Sequence, residues 1–265
     1  MNKLKIIFSL SAILVTGFTF AQNTNQSVVN DGKVWASLYQ QRAAEYKALC
    51  FQAYNAARMS LDKAIAKYGK KPLAVVTDID ETLLDNSPLD ASRAINNQNF
   101  DLAAWKQWTA QGIADTVPGA PSFFKYAASK GIVVFYITNR DEDERAGTLK
   151  NLKRYNLPYA DDAHVLLRAG KSSSKEDRRQ LVLKKYDIAV LCGDNLPDFD
   201  KAYDGNFDEP NRAEVTEKLR KQFGSRFIII PNPTYGDFET ALFKNQKLSL
   251  KQKDSVIRAV LKVAK

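Results

Sequence analysis

The sequence predicts an α/β fold in which a Rossmann-like parallel sheet has helices on both faces and carries a small helical cap. Amphipathic stretches at residues 120–130, 142–155 and 175–186 alternate with short apolar runs, and this alternation is typical of parallel strands. The runs are continuously apolar, as in strands buried on both faces. They comprise residues 73–76, 132–137, 164–167, 188–192 and 226–230.

Two further segments are predicted to form the cap over one edge of the sheet. From residue 33 to about 70, apolar residues recur at three- and four-residue steps, which indicates one or two helices ended by Gly69 and Pro72. Residues 85–117 separate the first strand from the next helix, and a connection this long usually has its own structure or a function. We therefore expect one domain over residues 33–265, with cap elements at about 33–70 and 85–117.

The first 21 residues have the pattern of a secretory signal peptide. Lys3 and Lys5 precede an apolar run at 6–15, and Ala21 is the small residue at the expected cleavage point. The run is shorter than the roughly 20 residues of a membrane-spanning helix. We therefore expect an exported protein, periplasmic or secreted, without a stable membrane span. Because no cysteine lies near residue 21, a lipid anchor is not expected. The polar residues 22–32 are expected to be a flexible lead-in.

Charge and rare residue types exclude several functions. The chain has 39 Lys and Arg against 30 Asp and Glu, but the basic residues are scattered, so binding of a nucleic-acid polymer is not expected. With His164 as the one histidine, the chain cannot form a phosphatase site that needs two histidines, nor an imidazole-rich dinuclear metal centre. Cys50 lies in a helical stretch and Cys192 in a strand, so we expect free thiols. Nothing in the sequence marks a subunit interface.

Polar residues follow the predicted strands at the points where the strands end. Ligands of open parallel sheets bind beyond the carboxyl ends of the strands, so these side chains are expected to converge at one edge. They are Asp78 and Asp80 after the first strand, Thr138 and Asn139 after the second, Lys175 after the third, and Asp194 and Asp198 after the fourth.

This set of side chains is suited to transfer of a phosphoryl group. Clustered carboxylates repel one another without a cation, and Mg²⁺ prefers oxygen ligands. With its charge balanced, the Asp78 carboxylate can attack phosphorus and form an aspartyl phosphate. Asp80 can protonate the leaving oxygen and then activate water, while Thr138 and Lys175 hold phosphoryl oxygens.

Longer strings resemble the haloacid dehalogenase superfamily, and within it the class C acid phosphatases, which include bacterial lipoprotein phosphatases of the 5′-nucleotidase type. The resemblance implies that Asp78 is the nucleophile and Asp80 the acid and base, and that Lys175 is the motif lysine with Lys171 in reserve. It implies that Mg²⁺ is bound by the Asp78 carboxylate, by Asp194 and by the main-chain oxygen of Asp80. Asp198 would support these ligands. The strings lie at residues 44–49, 52–56, 78–86, 117–120, 137–140, 171–179, 193–196 and 231–233.

The resemblance also implies a substrate, a nucleoside 5′-monophosphate hydrolysed at mildly acid pH. Its base would stack on aromatic residues, for which Trp105, Tyr235 and Phe100 are the candidates, and Asn139 is placed with them as a substrate-binding residue. One alternative is a broad phosphatase of sugar or pyridoxal phosphates. Another is a non-catalytic binding or storage protein on the same fold, which would be expected to lack Asp78 or Asp80.

Overall fold

The computed structural model describes residues 27–67, 69 and 71–264. In chain order the strands are β1 (Leu73–Thr77), β2 (Leu84–Asp85), β3 (Asp115–Thr116), β4 (Val133–Ile137), β5 (Val165–Leu166), β6 (Asp187–Gly193) and β7 (Phe227–Ile229). The α-helices are α1 (Val28–Arg42), α2 (Ala44–Ala66), α3 (Ser87–Ile95), α4 (Leu102–Gln111), α5 (Ala120–Ser129), α6 (Arg145–Arg154), α7 (Glu176–Leu183), α8 (Glu209–Leu219), α9 (Asp237–Leu242) and α10 (Leu250–Val260). Short 3-10 turns lie at Glu142–Glu144, Leu196–Asp198 and Lys201–Tyr203.

The central sheet is parallel, with strand order β5-β4-β1-β6-β7. Each of its strands coincides with one of the apolar runs, so the predicted fold class is confirmed. Because β1 lies in the middle and pairs with both β4 and β6, the segments that follow these three strands are neighbours at the carboxyl edge.

The two faces of the sheet have separate apolar cores, as the two-residue period of a strand requires. Val75 packs with Tyr54 of α2 and Phe124 of α5 on one face. Val76 packs with Val182 of α7 on the other. The two cysteines are buried in the first of these cores as free thiols, as expected.

The cap differs from the prediction in one respect. We expected residues 33–70 to cap the sheet as a whole, but α2 belongs to the main core, where Tyr46, Cys50 and Leu61 are almost fully buried. The cap consists instead of α1, α3, α4 and the short antiparallel pair β2–β3. The amphipathic pattern of α2 predicted a helix with one buried face, but periodicity does not show whether that face lies against a cap or a sheet.

The described part of the expected lead-in, residues 27–32, is helical from Val28 onward. Residues 1–26, and with them the signal-peptide prediction, lie outside the described residues. From Val28 onward the chain forms α1, because the Ser27 side chain accepts the Val29 N–H at 3.2 Å and donates to Asp254 of α10 at 2.8 Å. A tertiary contact therefore orders a segment whose composition indicated flexibility. Among the residues that the structure describes, no helix combines the length and apolar character needed to cross a bilayer.

Candidate active site

A cleft of about 850 Å³ opens at the carboxyl edge of the sheet, between the strand ends and the cap. The loop after β1 forms its floor. Ile79 and Leu83 are fully buried and anchor this loop in the core, and Asp78 and Asp80, on either side of Ile79, line the cleft. The other predicted residues in its lining are Asn139, Lys175, Asp194, Asp198, Phe100, Trp105 and Tyr235.

Asp78 and Lys175 are in direct contact on this floor. The Asp78 amide donates to the Cys192 carbonyl at 2.9 Å, which ties the end of β1 to β6. The Lys175 ammonium donates to the carboxylates of Asp78 and Asp198, the latter at 2.5 Å. Lys175 is 5% exposed and immediately precedes α7, whereas Lys171 is exposed. The structure therefore favours Lys175 over Lys171 as the lysine of the site.

The carboxylates of the floor outnumber the cations around them. Burial raises the pKa of Asp78 to about 7, opposed by Lys175 and reinforced by Asp198 and Asp80. Burial also raises the pKa of Asp194 well above its usual value, and the neighbouring Asp198 and Asp78 add to this effect. Burial and the neighbouring carboxylates together therefore disfavour the ionised forms of Asp78 and Asp194 when Lys175 is the nearby cation.

A divalent cation fits this group of carboxylates. Asp78, Asp194 and Asp198 each offer an oxygen, and these three oxygens lie within 4.8 Å of one another. Asp194 is oriented by Thr82 at 3.1 Å and by Asn232 at 2.8 Å. An all-oxygen set with excess negative charge is what a hard divalent ion requires.

Gly193 keeps Asp198 in this group. A Cβ atom at residue 193 would lie 2.4 Å from both the Cβ and the Oδ2 of Asp198, which is closer than real Cβ contacts. The same Oδ2 accepts the Asn195 N–H at 3.0 Å. Any larger residue at position 193 would therefore push Asp198 away from Lys175.

Thr138 directly follows β4, as predicted, but it is not among the residues that line the cleft. It is fully buried below the cleft, and its hydroxyl accepts the Arg140 amide at 3.2 Å and lies 3.5 Å from Asp80 Oδ2. Its carbonyl accepts from Arg178. In this structure Thr138 orders the loop after β4 and does not line the cleft.

Asn139 is in the cleft wall, but its side chain already has two partners. Its amide donates to the Ser173 carbonyl at 2.9 Å, and its oxygen accepts from Arg178 at 2.7 Å. Arg178 also donates to the Ser174 carbonyl at 2.9 Å. Asn139 and Arg178 together join the loop after β4 to the loop that carries Lys175.

The three candidate aromatic residues lie in the lining of the same cleft. Phe100 is 67% exposed, with the Arg93 guanidinium 4.9 Å from its ring centre. Trp105 faces the Arg140 guanidinium at 5.8 Å. The Tyr235 hydroxyl donates to Glu81, a fully buried residue in the loop after β1 with φ of +56°. This hydrogen bond anchors the C-terminal segment to the loop after β1.

Asp80 is held by two residues to which the sequence gave no role. Arg140 donates to both of its carboxylate oxygens, with the shortest contact 2.7 Å from Nη2 to Oδ1. The Asn86 amide donates to the same Oδ1 at 2.9 Å. Both residues belong to strings that carry the family resemblance, which was the available signal. Their contacts depend on how the loops fold back, which spacing does not reveal.

Comparison with known proteins agrees with this geometry. Residues 9–238 match the family model described as HAD superfamily, subfamily IIIB (acid phosphatase). The chain belongs to this family. It is 39% identical to the class C acid phosphatase of Bacillus anthracis, with a TM-score of 0.85 over 89% of this chain and 99% of that one. The crystal structure of that phosphatase with tungstate bound matches equally well, over 90% of this chain.

Plant relatives in the same comparison are more distant. The chain is 28% identical over 167 residues to acid phosphatase 1 of Solanum lycopersicum and 23% identical over 162 residues to the stem 31 kDa glycoprotein of Glycine max. It spans 57% of the length of each. The predicted resemblance to the haloacid dehalogenase superfamily and its class C acid phosphatases is thus confirmed, while the substrate is not decided by these matches.

Proposed function

We propose that this member of the family is a Mg²⁺-dependent acid phosphatase that hydrolyses nucleoside 5′-monophosphates through an aspartyl phosphate. The observation that carries the proposal is the contact of the buried Asp78 carboxylate with Lys175 at the floor of a cleft that aromatic side chains also line. The cleft volume is within the range of small-molecule sites, roughly 300–1,000 Å³. A non-catalytic binding or storage protein would not need the contact between Asp78 and Lys175.

The first half of the reaction transfers the phosphoryl group to the protein. A carboxylate oxygen of Asp78 attacks phosphorus, and the bond from phosphorus to the leaving oxygen breaks. The electron pair of that bond goes to the leaving oxygen, which takes a proton from Asp80. The Lys175 ammonium offsets the charge on the phosphoryl oxygens as the transition state forms.

The second half releases phosphate and restores Asp78. Asp80, now a carboxylate, accepts a proton from water while the water oxygen attacks phosphorus. The bond between phosphorus and the Asp78 oxygen breaks, which leaves inorganic phosphate and a free carboxylate. A bound Mg²⁺, for which Asp78, Asp194 and Asp198 are the residues present, would supply charge neutralisation between substrate and carboxylates. The tungstate held by the B. anthracis relative is a tetrahedral oxyanion like phosphate, which supports an oxyanion site in this cleft.

The nucleotide part of the proposal rests on the aromatic residues. Trp105 and Tyr235 lie in the lining of the cleft that contains Asp78, and every nucleobase offers a flat face to an aromatic ring. Stacking is worth about 1–3 kcal/mol per base. We therefore expect Trp105→Ala and Tyr235→Ala each to lower kcat/KM for a nucleoside 5′-monophosphate by about tenfold, with little change for an aryl phosphate or for ribose 5-phosphate, an alkyl ester without a base. Steady-state rates on these three esters, with the 3′ nucleotide as a fourth substrate, measure this selectivity.

Two matched variants separate stacking from structural damage. Trp35→Ala removes a tryptophan that is 71% exposed on α1 and absent from the cleft lining, so it should change none of these rates. Tyr235→Phe keeps the ring but removes the hydrogen bond to Glu81, so it should keep most of the nucleotide preference. Equal losses on the nucleotide, ribose 5-phosphate and the aryl ester, or equal wild-type rates on all four substrates, would favour a broad phosphatase of sugar or pyridoxal phosphates.

We also propose that the protein is exported. The support is the charged, apolar and small-residue pattern of residues 1–21. Expression of the full chain in a bacterium, followed by cell fractionation and mass measurement, should find a periplasmic or secreted form that begins after Ala21. An intact N-terminus in the cytoplasmic fraction would refute export and leave the catalytic proposal untouched.

A further inference from the structure

Asp80 is held more firmly than a residue that only has to reach the leaving oxygen. The Arg140 side chain is almost fully buried and contacts both oxygens of Asp80, from Nε at 3.2 and 3.1 Å and from Nη2 to Oδ1 at 2.7 Å. Asn86, also fully buried, adds a second donor to Oδ1 at 2.9 Å. A carboxylate held by donors from two directions has a fixed plane as well as a fixed position.

The two holding residues are themselves fixed by the cap and the core. Arg140 donates from Nη1 to Thr148 of α6 at 3.1 Å, and Trp105 of α4 covers its guanidinium. The oxygen of Asn86 accepts the indole N–H of Trp108, also of α4, at 2.8 Å. The backbone amide of Asn86 donates to Glu81 at 2.8 Å. Neither side chain can turn away from Asp80 without breaking other buried contacts.

We propose that Arg140 and Asn86 are positioning residues that set the orientation of the Asp80 carboxylate, so that Oδ2 is the oxygen that carries the proton to and from the reacting groups. Oδ1 already accepts three hydrogen bonds, and a proton placed there would face their donors. Oδ2 accepts two, from Arg140 Nε at 3.1 Å and from Thr138 at 3.5 Å. The inference rests on the proposed role of Asp80 as acid and base, and does not depend on the identity of the leaving alcohol.

Leaving groups of different basicity reveal such a role. An alkoxide is a strong base that must be protonated as it leaves, whereas a nitrophenolate leaves without a proton. General acid catalysis contributes about 10²–10⁴-fold, so a misdirected acid should slow an alkyl ester and spare an aryl ester in the first step. The second step uses Asp80 as a base for either ester, so an aryl substrate should give a burst.

The experiment compares ribose 5-phosphate with 4-nitrophenyl phosphate in single-turnover and burst assays with Mg²⁺ present. Arg140→Lys keeps the positive charge but removes the paired N–H donors that contact both oxygens of Asp80. Asn86→Ala removes the second side chain that donates to Asp80. In each variant we expect the alkyl ester to react about 10- to 100-fold more slowly, at or below the lower end of general acid effects, because Asp80 is misdirected but not removed. The first nitrophenolate equivalent should appear within threefold of the wild-type rate and be followed by slow turnover.

Two controls distinguish failure of this inference from failure of the catalytic proposal. Asp80→Asn should show the same leaving-group split in stronger form, and if it does not, the acid role of Asp80 itself is wrong. Arg145→Lys, in a more exposed arginine that pairs with Glu142, should behave as wild type. Positioning is refuted if Asp80→Asn slows the alkyl ester selectively while Arg140→Lys and Asn86→Ala do not. It is also refuted if these two variants slow both esters equally with unchanged thermal midpoints. If Arg140→Lys does not fold, the result with Asn86→Ala alone decides.

Discussion

Replacing Asp78 with asparagine is expected to reduce turnover by on the order of 10⁶-fold, the scale seen when the nucleophile of a covalent mechanism is removed. The amide nitrogen and oxygen are poor nucleophiles, and no aspartyl phosphate can form. The variant should fold, because Asp78→Asn removes a buried charge from a group whose pKa is raised by burial to about 7. Phosphate release from 4-nitrophenyl phosphate measures the loss, and mass spectrometry of acid-quenched wild-type protein should find one phosphoryl group on the peptide that contains Asp78.

A matched substitution at the other end of the sheet controls for charge. Asp187 lies at the start of β6 and is exposed, whereas Asp194 follows the end of the same strand. Asp187→Asn should retain wild-type rates. Turnover by freshly purified Asp78→Asn at a tenth of the wild-type rate or more would contradict the assignment of Asp78 as nucleophile, and a phosphorylated peptide elsewhere in the chain would identify the correct residue.

The sequence was sufficient to predict which residues meet at the floor of the cleft, because that part of the candidate site follows from topology. Continuous apolar runs identified the strands, and parallel strands bring the residues after their carboxyl ends together. This rule applies directly to three residues that lie next to a strand end or a helix start: Asp78, Lys175 and Asp194. Their convergence could therefore be predicted without knowing the conformations of the individual side chains.

The remainder of the site depends on contacts that periodicity does not encode. Thr138 also follows a strand end, yet it is fully buried, and its hydroxyl accepts the Arg140 amide instead of lining the cleft. Arg140 reaches Asp80 because the loop after β4 turns back toward β1, and Asn86 does so through a buried turn at Glu81 with positive φ. Motif strings contained these residues, but only the folded loops show which partner each one contacts.

Metal binding should make the stability of this protein depend on pH in a defined direction. The pKa of Asp78 rises from its ordinary 3.8 to about 7 in the folded metal-free protein, and that of Asp194 also rises, both chiefly through burial. Between these values the native state binds more protons than the unfolded state, so stability of the metal-free protein falls as pH increases from about 4 to about 7. A cation needs the same carboxylates ionised, so its binding strengthens over this range.

Mg²⁺ is therefore expected to raise the thermal midpoint far more at pH 8 than at pH 5. At a concentration about 100 times Kd the ion adds about 2.7 kcal/mol, or roughly 5–10 °C for a domain of this size. Thermal unfolding with excess Mg²⁺ or with chelator, at both pH values, measures the shift, and chelator should also abolish phosphate release. Asp194→Asn should lose the Mg²⁺ shift and, with one less buried charge, be more stable than wild type in chelator at pH 8. A shift of equal size at both pH values, or one that survives in Asp194→Asn, would place the ion away from these carboxylates, because only ligands that must lose protons link its affinity to pH.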